Sequence, residues 1–302
     1  MAMAHRRSCT AEEAGENKEQ SGTESGRDMW KVSLLVTTYN VKDNLKITLG
    51  SIEQQDYPSI EVVIVDGLSV DGTPELIREF AARHAGQEPS CSVRWVSEPD
   101  QGLYDAMNKA FRMSSGDIIA VCNDRLCTPD AVTKLVRAAE QGGEGCVGAH
   151  ADLVYVEGEH IVRKWHMGEG KLADGWLPGH PTMFLKREIY EKYGLYDTSY
   201  KCAADYEFMI RFLKDERNRL AYVPEVLVSM FYGGTSNAGL RNYMVSLWEG
   251  YLGLRRNGVR YPLLITVKRT VRVLKQFGHC LRLPDQQAYG KAWLQKWLNQ
   301  IK

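Results

Sequence analysis

The chain has 302 residues, enough for one large domain or two small ones, with 44% hydrophobic and 25% charged residues, ordinary values for a soluble globular protein. Its 38 basic and 38 acidic residues cancel, which excludes a global electrostatic pull toward nucleic acid. Seven scattered cysteines with no CxxC pair argue for reduced thiols in the cytosol and against a disulfide framework, and no apolar run reaches the ~18 residues a bilayer span requires.

Residues 1–29 are rich in Glu, Ser, Gly and Arg without an apolar core, which reads as a disordered tail and not a signal peptide. Lys31 to Val36 is a buried first strand, broken by Thr37-Thr38-Tyr39-Asn40. From Asn44 to Gln54, Leu45, Leu49 and Ile52 keep a helical period. Ile60 to Val65 is the next strand, apolar at its end as buried parallel strands are. The Gly-rich turn Asp66 to Pro74 places Thr73 as an N-cap and Pro74 at the first helical position, opening a helix to His84. Ser92 to Val96 reads as a third strand and Pro99 to Gly102 as a turn. Leu103 to Met113 is a helix with Leu103, Met107, Ala110 and Phe111 on one face, and Asp117 to Cys122 is the fourth strand.

Strand and helix thus alternate four times at βαβ spacing, which predicts a mostly parallel sheet with helices on both faces. Right-handed crossovers bring the strand C-termini to one edge. That edge carries Thr37 and Tyr39, Asp66, Glu98 and Asp100, and Asp124, a convergence expected of a nucleotide pocket. The pattern then changes. After a helix from Pro129 to Glu140, Val147–Val156 and His160–Lys164 form an antiparallel hairpin. Leu172 to His180 is loop-like, Thr182 to Leu185 a short strand, and Arg187 to Tyr193 a helix stopped by Gly194. Asp205 to Leu213 is an amphipathic helix with Phe208, Met209 and Phe212 inward, and Leu220 to Val223 is a last strand before Pro224. The remainder is mainly helical.

Six runs occur in order: Thr37-Thr-Tyr-Asn40, Ile64-Val-Asp-Gly67 with Ser69 and Asp71-Gly72-Thr73, Asp100 to Asn108, Ser115 to Ile119, Pro178-Gly-His180, and Ala203-Ala-Asp-Tyr-Glu207. Together they resemble the family 2 glycosyltransferases of GT-A fold, over about Lys31 to Asn237, and among them the bacterial enzymes that build polysaccharide units or decorate glycolipids. The resemblance implies an inverting transferase that uses a nucleotide-sugar donor, typically a UDP-sugar, and a saccharide or lipid-linked acceptor. It implies that Thr37 and Tyr39 line the base pocket and that Asp66 accepts from the base. Asp124 aligns with the second Asp of the family's D-x-D element, which binds Mg²⁺ or Mn²⁺ on the diphosphate. Asp205 aligns with the general base. Asp100 joins the donor-binding set, although Asp100 and Asp105 flank a loop-to-helix junction where a carboxylate serves equally as a cap.

The chain departs from the family at Cys122, where the first acidic or amide position stands, at Arg125 after the metal Asp, and at Pro181 after the His. A thiol is a poor ligand for hard Mg²⁺, so Cys122 reads as a small core residue, while Arg125 offers charge to phosphates. These departures motivate an alternative, a GT-A protein that binds a nucleotide sugar without transfer. A dinucleotide oxidoreductase is disfavoured, since no G-x-G-x-x-G follows the first strand. His180 reads as a structural histidine or a ligand contact, Trp176 as a sugar platform or a packed aromatic, and Lys109 as a phosphate contact or a solvated residue.

Residues 30–237 form the expected transferase domain and 238–302 a helical extension. From Tyr251 onward the only acid is Asp285. Between Tyr261 and Phe277, Leu264, Val267, Val271 and Leu274 share one helical side, with Lys268, Arg272 and Lys275 beside them. That pattern suits either a helix lying on the inner, anionic face of the cytoplasmic membrane or a core-packing helix with a solvated face.

Overall fold

The computed structural model describes residues 29–86, 91–157, 160–231 and 240–280. The tail expected over 1–29 lies outside them but for Met29. Apolar runs of strand length separated by amphipathic runs of helical length give the first half: β1 (Val32–Thr38), α1 (Lys42–Glu53), β2 (Ile60–Asp66), α2 (Thr73–Arg83), β3 (Cys91–Ser97), α3 (Leu103–Met113) and β4 (Ile118–Val121). β1 pairs in parallel with β2 and with β4, and β2 with β3. Because side chains alternate across a strand, Leu34, Val62 and Ile118 face one core with α1 and α2. Leu35, Val63 and Ile119 face the other, with α3. Each such fully buried side chain contributes roughly 1.5–3 kcal/mol, so helices cover both faces, as the spacing predicts.

The second half adds β5 (Arg125–Leu126), α4 (Ala131–Gln141), β6 (Cys146–Glu157), β7 (His160–Trp165), β8 (Phe184–Lys186), α5 (Arg187–Tyr193), α6 (Ala204–Leu213), β9 (Arg219–Phe231), α7 (Leu240–Arg256) and α8 (Pro262–Cys280). The strand order is β3-β2-β1-β4-β8-β6-β9-β5, with β7 on β6. β8 is antiparallel to both β4 and β6, and β9 is parallel to β6. The first four strands, β6 and β9 therefore run the same way and end on one edge. β5 follows β4 after three residues yet pairs with β9. The sheet must curl to allow this, and Asn123 and Asp124 sit at the turn.

Several expectations shift. Thr73 is the first helical residue and not the cap. Gly72, at φ 90°, is the N-cap, and the Asp71 carboxylate accepts the Thr73 N–H at 3.1 Å. Leu103 is 41% exposed, and Tyr104 takes its place on the buried face of α3. β9 does not end at Pro224 but runs on to Phe231. Its register on β6 slips between Val223 and Val226, so Pro224 falls in a bulge that needs no N–H. In α8, Lys268 donates to Ala173 O and Asp174 Oδ1 and Arg272 Nε donates to Asp174 O, so this part of the basic stripe turns toward the loop before Trp176. The Lys275 side chain lies outside the described set.

Candidate active site

The strand ends deliver the expected residues to one edge, in different states. Thr37 closes β1 and is buried. Its N–H donates to Asn123 Oδ1 and its hydroxyl accepts from Asn123 Nδ2, both at 2.7 Å. Asn123 thus ties the end of β4 to the end of β1, a function its place beside Asp124 did not announce. Tyr39 stands 63% exposed above this tie. Gly67 lies between Tyr39 and Asp100: a Cβ there would come 2.7 Å from Asp100 Oδ2 and 3.4 Å from the Tyr39 ring. A side chain at this position would have to push the Asp100 carboxylate aside. The loops are pinned by Asn40, at φ 51°, whose N–H donates to Ser69 Oγ at 2.7 Å and whose Oδ1 accepts the Val70 N–H at 2.9 Å. Leu68 is held at φ 63°, a conformation a branched residue adopts at a cost.

Asp66 is held more tightly than Thr37 or Tyr39. It is fully buried, and its oxygens accept from the Ser69 hydroxyl, the Ser69 N–H at 3.1 Å and the Ser97 hydroxyl at 2.6 Å. In this arrangement the carboxylate fastens the β2 and β3 loops from below. Asp100 Oδ1 accepts the Gly102 N–H at 2.8 Å, and its Oδ2 is the atom turned toward Gly67. Lys109 is committed to Pro99 O at 2.6 Å and to Glu98 at 2.9 Å, so it braces this loop.

Asp124 contrasts with Asp66. It is half-buried where the chain leaves β4, and it accepts the Phe231 N–H at 3.2 Å. Burial pushes its carboxyl up to about 7, against the lowering effect of that bond. Cys122 packs in the core and Arg125 is buried in β5, its guanidinium lowered by burial to about 10. Neither is presented on the edge. Among the described residues no cluster of three or more His, Cys, Asp or Glu forms a ready metal cage.

Asp205 opens α6 from the other half. The Tyr104 hydroxyl donates to its Oδ1 at 3.2 Å. Tyr104 titrates far above its ordinary range, first through burial and then through the Asp205 charge. His180 Nε2 lies 2.8 Å from the Tyr196 hydroxyl, and its ring is lowered by burial although the Asp205 charge opposes this. Tyr155 on β6 titrates above its usual range, first by burial, with the Arg163 guanidinium opposing and the charges of both Asp124 and Asp205 adding. Arg163 lies 4.9 Å over the Tyr155 ring. Sequence reasoning singled out neither Tyr104 nor Tyr155, because aromatics at buried spacing read as core. Trp176 is core: it is buried and donates to Met167 O at 3.0 Å. A cavity of 1190 Å³ lies elsewhere, between the Glu169–Trp176 loop, the end of α6 and the α7–α8 turn, and holds none of these carboxylates.

Residues 33–211 match the model of glycosyl transferase family 2. A PGL/p-HBAD biosynthesis glycosyltransferase of Mycobacterium tuberculosis is 28% identical over 218 residues, covering 68% of this chain and 78% of the relative. Among solved structures, a mannosyltransferase of Pyrobaculum calidifontis in complex with GDP-Man and Mn²⁺ superposes with a TM-score of 0.58 at 18% identity, over 88% of this chain and 85% of that one. Staphylococcus aureus TarS in complex with UDP-GlcNAc gives 0.56 at 18% identity, over 89% and 72%. At this identity the structures speak for the fold.

Proposed function

Since the chain belongs to glycosyl transferase family 2 and is a glycosyltransferase of GT-A fold, we propose that it inverts the anomeric centre of a nucleotide sugar, a UDP-sugar first, and works on the cytoplasmic side in bacterial cell-surface polysaccharide or glycolipid synthesis. The acceptor in this reading is a saccharide or a lipid-linked saccharide. The observation that carries the reading is the Tyr104–Asp205 hydrogen bond, which sets a carboxylate of the second half against the first turn of α3, just after the Asp100 loop that faces Gly67 and Tyr39.

Asp205 accepts the proton of the attacking acceptor hydroxyl, with Tyr104 fixing the carboxylate's orientation. Attack from the face opposite the diphosphate inverts the sugar. Asp124 suits a hard divalent cation: it is a half-buried oxygen ligand, and one carboxylate with diphosphate oxygens is a usual Mg²⁺ set. Mg²⁺ or Mn²⁺ held there supplies neutralisation of the leaving diphosphate. Thr37, Tyr39 and Asp100 line the nucleotide side. Asp66 shapes that side through Ser69 and Ser97. Relatives' ligands support a nucleotide-sugar donor and a divalent cation, the mannosyltransferase with GDP-Man and Mn²⁺ and TarS with UDP-GlcNAc. The core position of Cys122, which removes one metal-side ligand, favours the second reading, a binder without transfer.

The test is sugar transfer and nucleotide release over a panel of UDP-, GDP- and dTDP-sugars, each with Mg²⁺, Mn²⁺ or EDTA. Turnover with a UDP-sugar that EDTA abolishes is expected. Turnover that survives EDTA would remove the cation from Asp124. Thermal stabilisation by UDP without turnover, with lipid-linked acceptors supplied, would favour the binder.

A further inference from the structure

The C-terminal helices pack inward through few residues. Leu254 of α7 and Ile265 of α8 join Tyr206 and Ile210 of α6 in a small core. Several of their other apolar side chains are exposed. On α7, Met244 is 57% and Trp248 61% exposed, one turn apart. On α8, Leu263, Leu264, Val267, Val271 and Leu274 are between 44% and 67% exposed, at a spacing that forms one helical stripe. Uncovered stripes of this size mark an interaction surface and not ordinary solvent-facing positions.

Charge says what covers them. Arg241, Arg255, Arg256 and Arg260 are exposed on α7 and its connection to α8, and Glu249 is the one acid of residues 240–280. Trp248 and Tyr261 (58% exposed) are the aromatics that favour a headgroup boundary. No helix among the described residues is long and apolar enough to cross a membrane, so such a contact lies flat. The surface also adjoins the acceptor side. Glu249, next to Trp248, accepts the N–H groups of Lys201, Cys202 and Ala203 at 2.9, 2.8 and 3.1 Å, the backbone that leads into Asp205. A shallow groove of 860 Å³ opens there, walled by Met244, Val245 and Trp248 with Lys201 at its rim.

We propose that α7 and α8 dock on the surface of an anionic phospholipid bilayer. The apolar stripes enter the headgroup boundary, the arginines meet lipid phosphates, and an acceptor held in the membrane reaches Asp205 past the α7 groove. The acceptor's route rests on the transferase reading; docking itself does not.

The full chain, without nucleotide, is sedimented with vesicles of phosphatidylcholine alone or mixed with phosphatidylglycerol. Pelleting with the anionic vesicles is expected, weakened by salt. It should fall about tenfold or more in Leu264→Glu/Val267→Glu and in Trp248→Glu, with thermal unfolding unchanged because these positions are exposed. Absence of pelleting overturns the proposal, as does equal pelleting with phosphatidylcholine alone. So does self-association in solution that the same variants abolish, which would assign the stripes to a second copy. Loss of binding in Trp293→Glu/Trp297→Glu, with the α8 variant binding as wild type, overturns it in favour of the C-terminal segment. Vesicle binding without turnover would keep the docking and fail the transferase reading.

Discussion

Carboxylates of the two halves are held differently. In the first half, Glu61 and Asp66 are fully buried and saturated. Glu61 accepts from Ser33 Oγ at 2.6 Å, from the Ser115 N–H at 2.7 Å and from the Ser115 hydroxyl at 3.0 Å, and lies 3.4 Å from Lys31. Asp66 is fastened by Ser69 and Ser97. Where the halves meet, Asp124 and Asp205 each have one bond described. At Glu61 and Asp124, protonation follows bonding. Burial alone would raise Glu61, but the Ser33 and Ser115 bonds outweigh it and hold the carboxyl below its ordinary range. With one backbone bond, Asp124 is left raised to about 7. A saturated carboxylate fixes loops. In the proposed arrangement a sparse one has lone pairs left for a cation or a proton, and bonding separates scaffold from chemistry better than position at a strand end does.

The largest effect should fall on Asp205. Asp205→Asn keeps the shape and the acceptor oxygen for Tyr104 but removes the base, so transfer should drop by about 10²–10⁴. Donor affinity, read by calorimetry, should hold. If the variant transfers at the wild-type rate, Asp205 belongs with the scaffold. Asp124→Asn comes next: affinity for UDP in the presence of Mn²⁺ should weaken by roughly 10–100-fold, while UDP binding in EDTA stays near wild type. Equal weakening with and without the cation would mean that Asp124 shapes the pocket and does not hold metal.

The saturated pair predicts the reverse, large in stability and small in chemistry. Asp66→Asn should cost about 1–3 kcal/mol in urea unfolding at pH 7, since an amide cannot accept from every donor now bonded. Glu61→Gln should cost a similar amount with a distinct pH signature. Because the folded carboxyl is lowered, its contribution is present above the unfolded value of about 4.5 and is lost as pH falls through the folded value. The gap between wild type and Glu61→Gln should therefore narrow from pH 7 to strongly acidic pH. A gap constant with pH would show that the Ser33 and Ser115 bonds do not depend on the charge.

Much of this was legible in the sequence, for physical reasons. The βαβ half follows from apolar periodicity, and α3 and α5 fall on their predicted boundaries. Long-range pairing was not legible. β5 is two residues long and exists because β9 offers it a partner. β9 outruns Pro224 because a bulge absorbs the missing donor. At the site, position could be read and bonding could not. Asp66 and Asp124 look alike as strand-terminal acids, and what separates them is Ser69 and Ser97, one of them from a strand 31 residues away. The meeting of Asp205 with Tyr104 of α3 likewise depends on long-range packing, which no local run encodes.

The smallest predicted effect lies at Tyr104. Its hydroxyl donates to Asp205 at 3.2 Å, a long bond, from a ring packed beside Tyr196. Tyr104→Phe keeps the ring and its packing and deletes one hydrogen bond, worth about 0.5–1.5 kcal/mol, so kcat should fall by about two- to tenfold. The donor's KM should not move, because Tyr104 orients the carboxylate and touches no nucleotide group in the proposed arrangement. Tyr104→Leu, which also removes ring packing, should lose stability as well. If the two variants lose kcat equally and both lower the unfolding midpoint, Tyr104 is a core residue whose hydroxyl happens to meet Asp205. If Tyr104→Phe alone separates kcat from stability, the sparse bonding of Asp205 is itself tuned, with one donor to aim the carboxylate and its remaining lone pairs free to take the acceptor's proton.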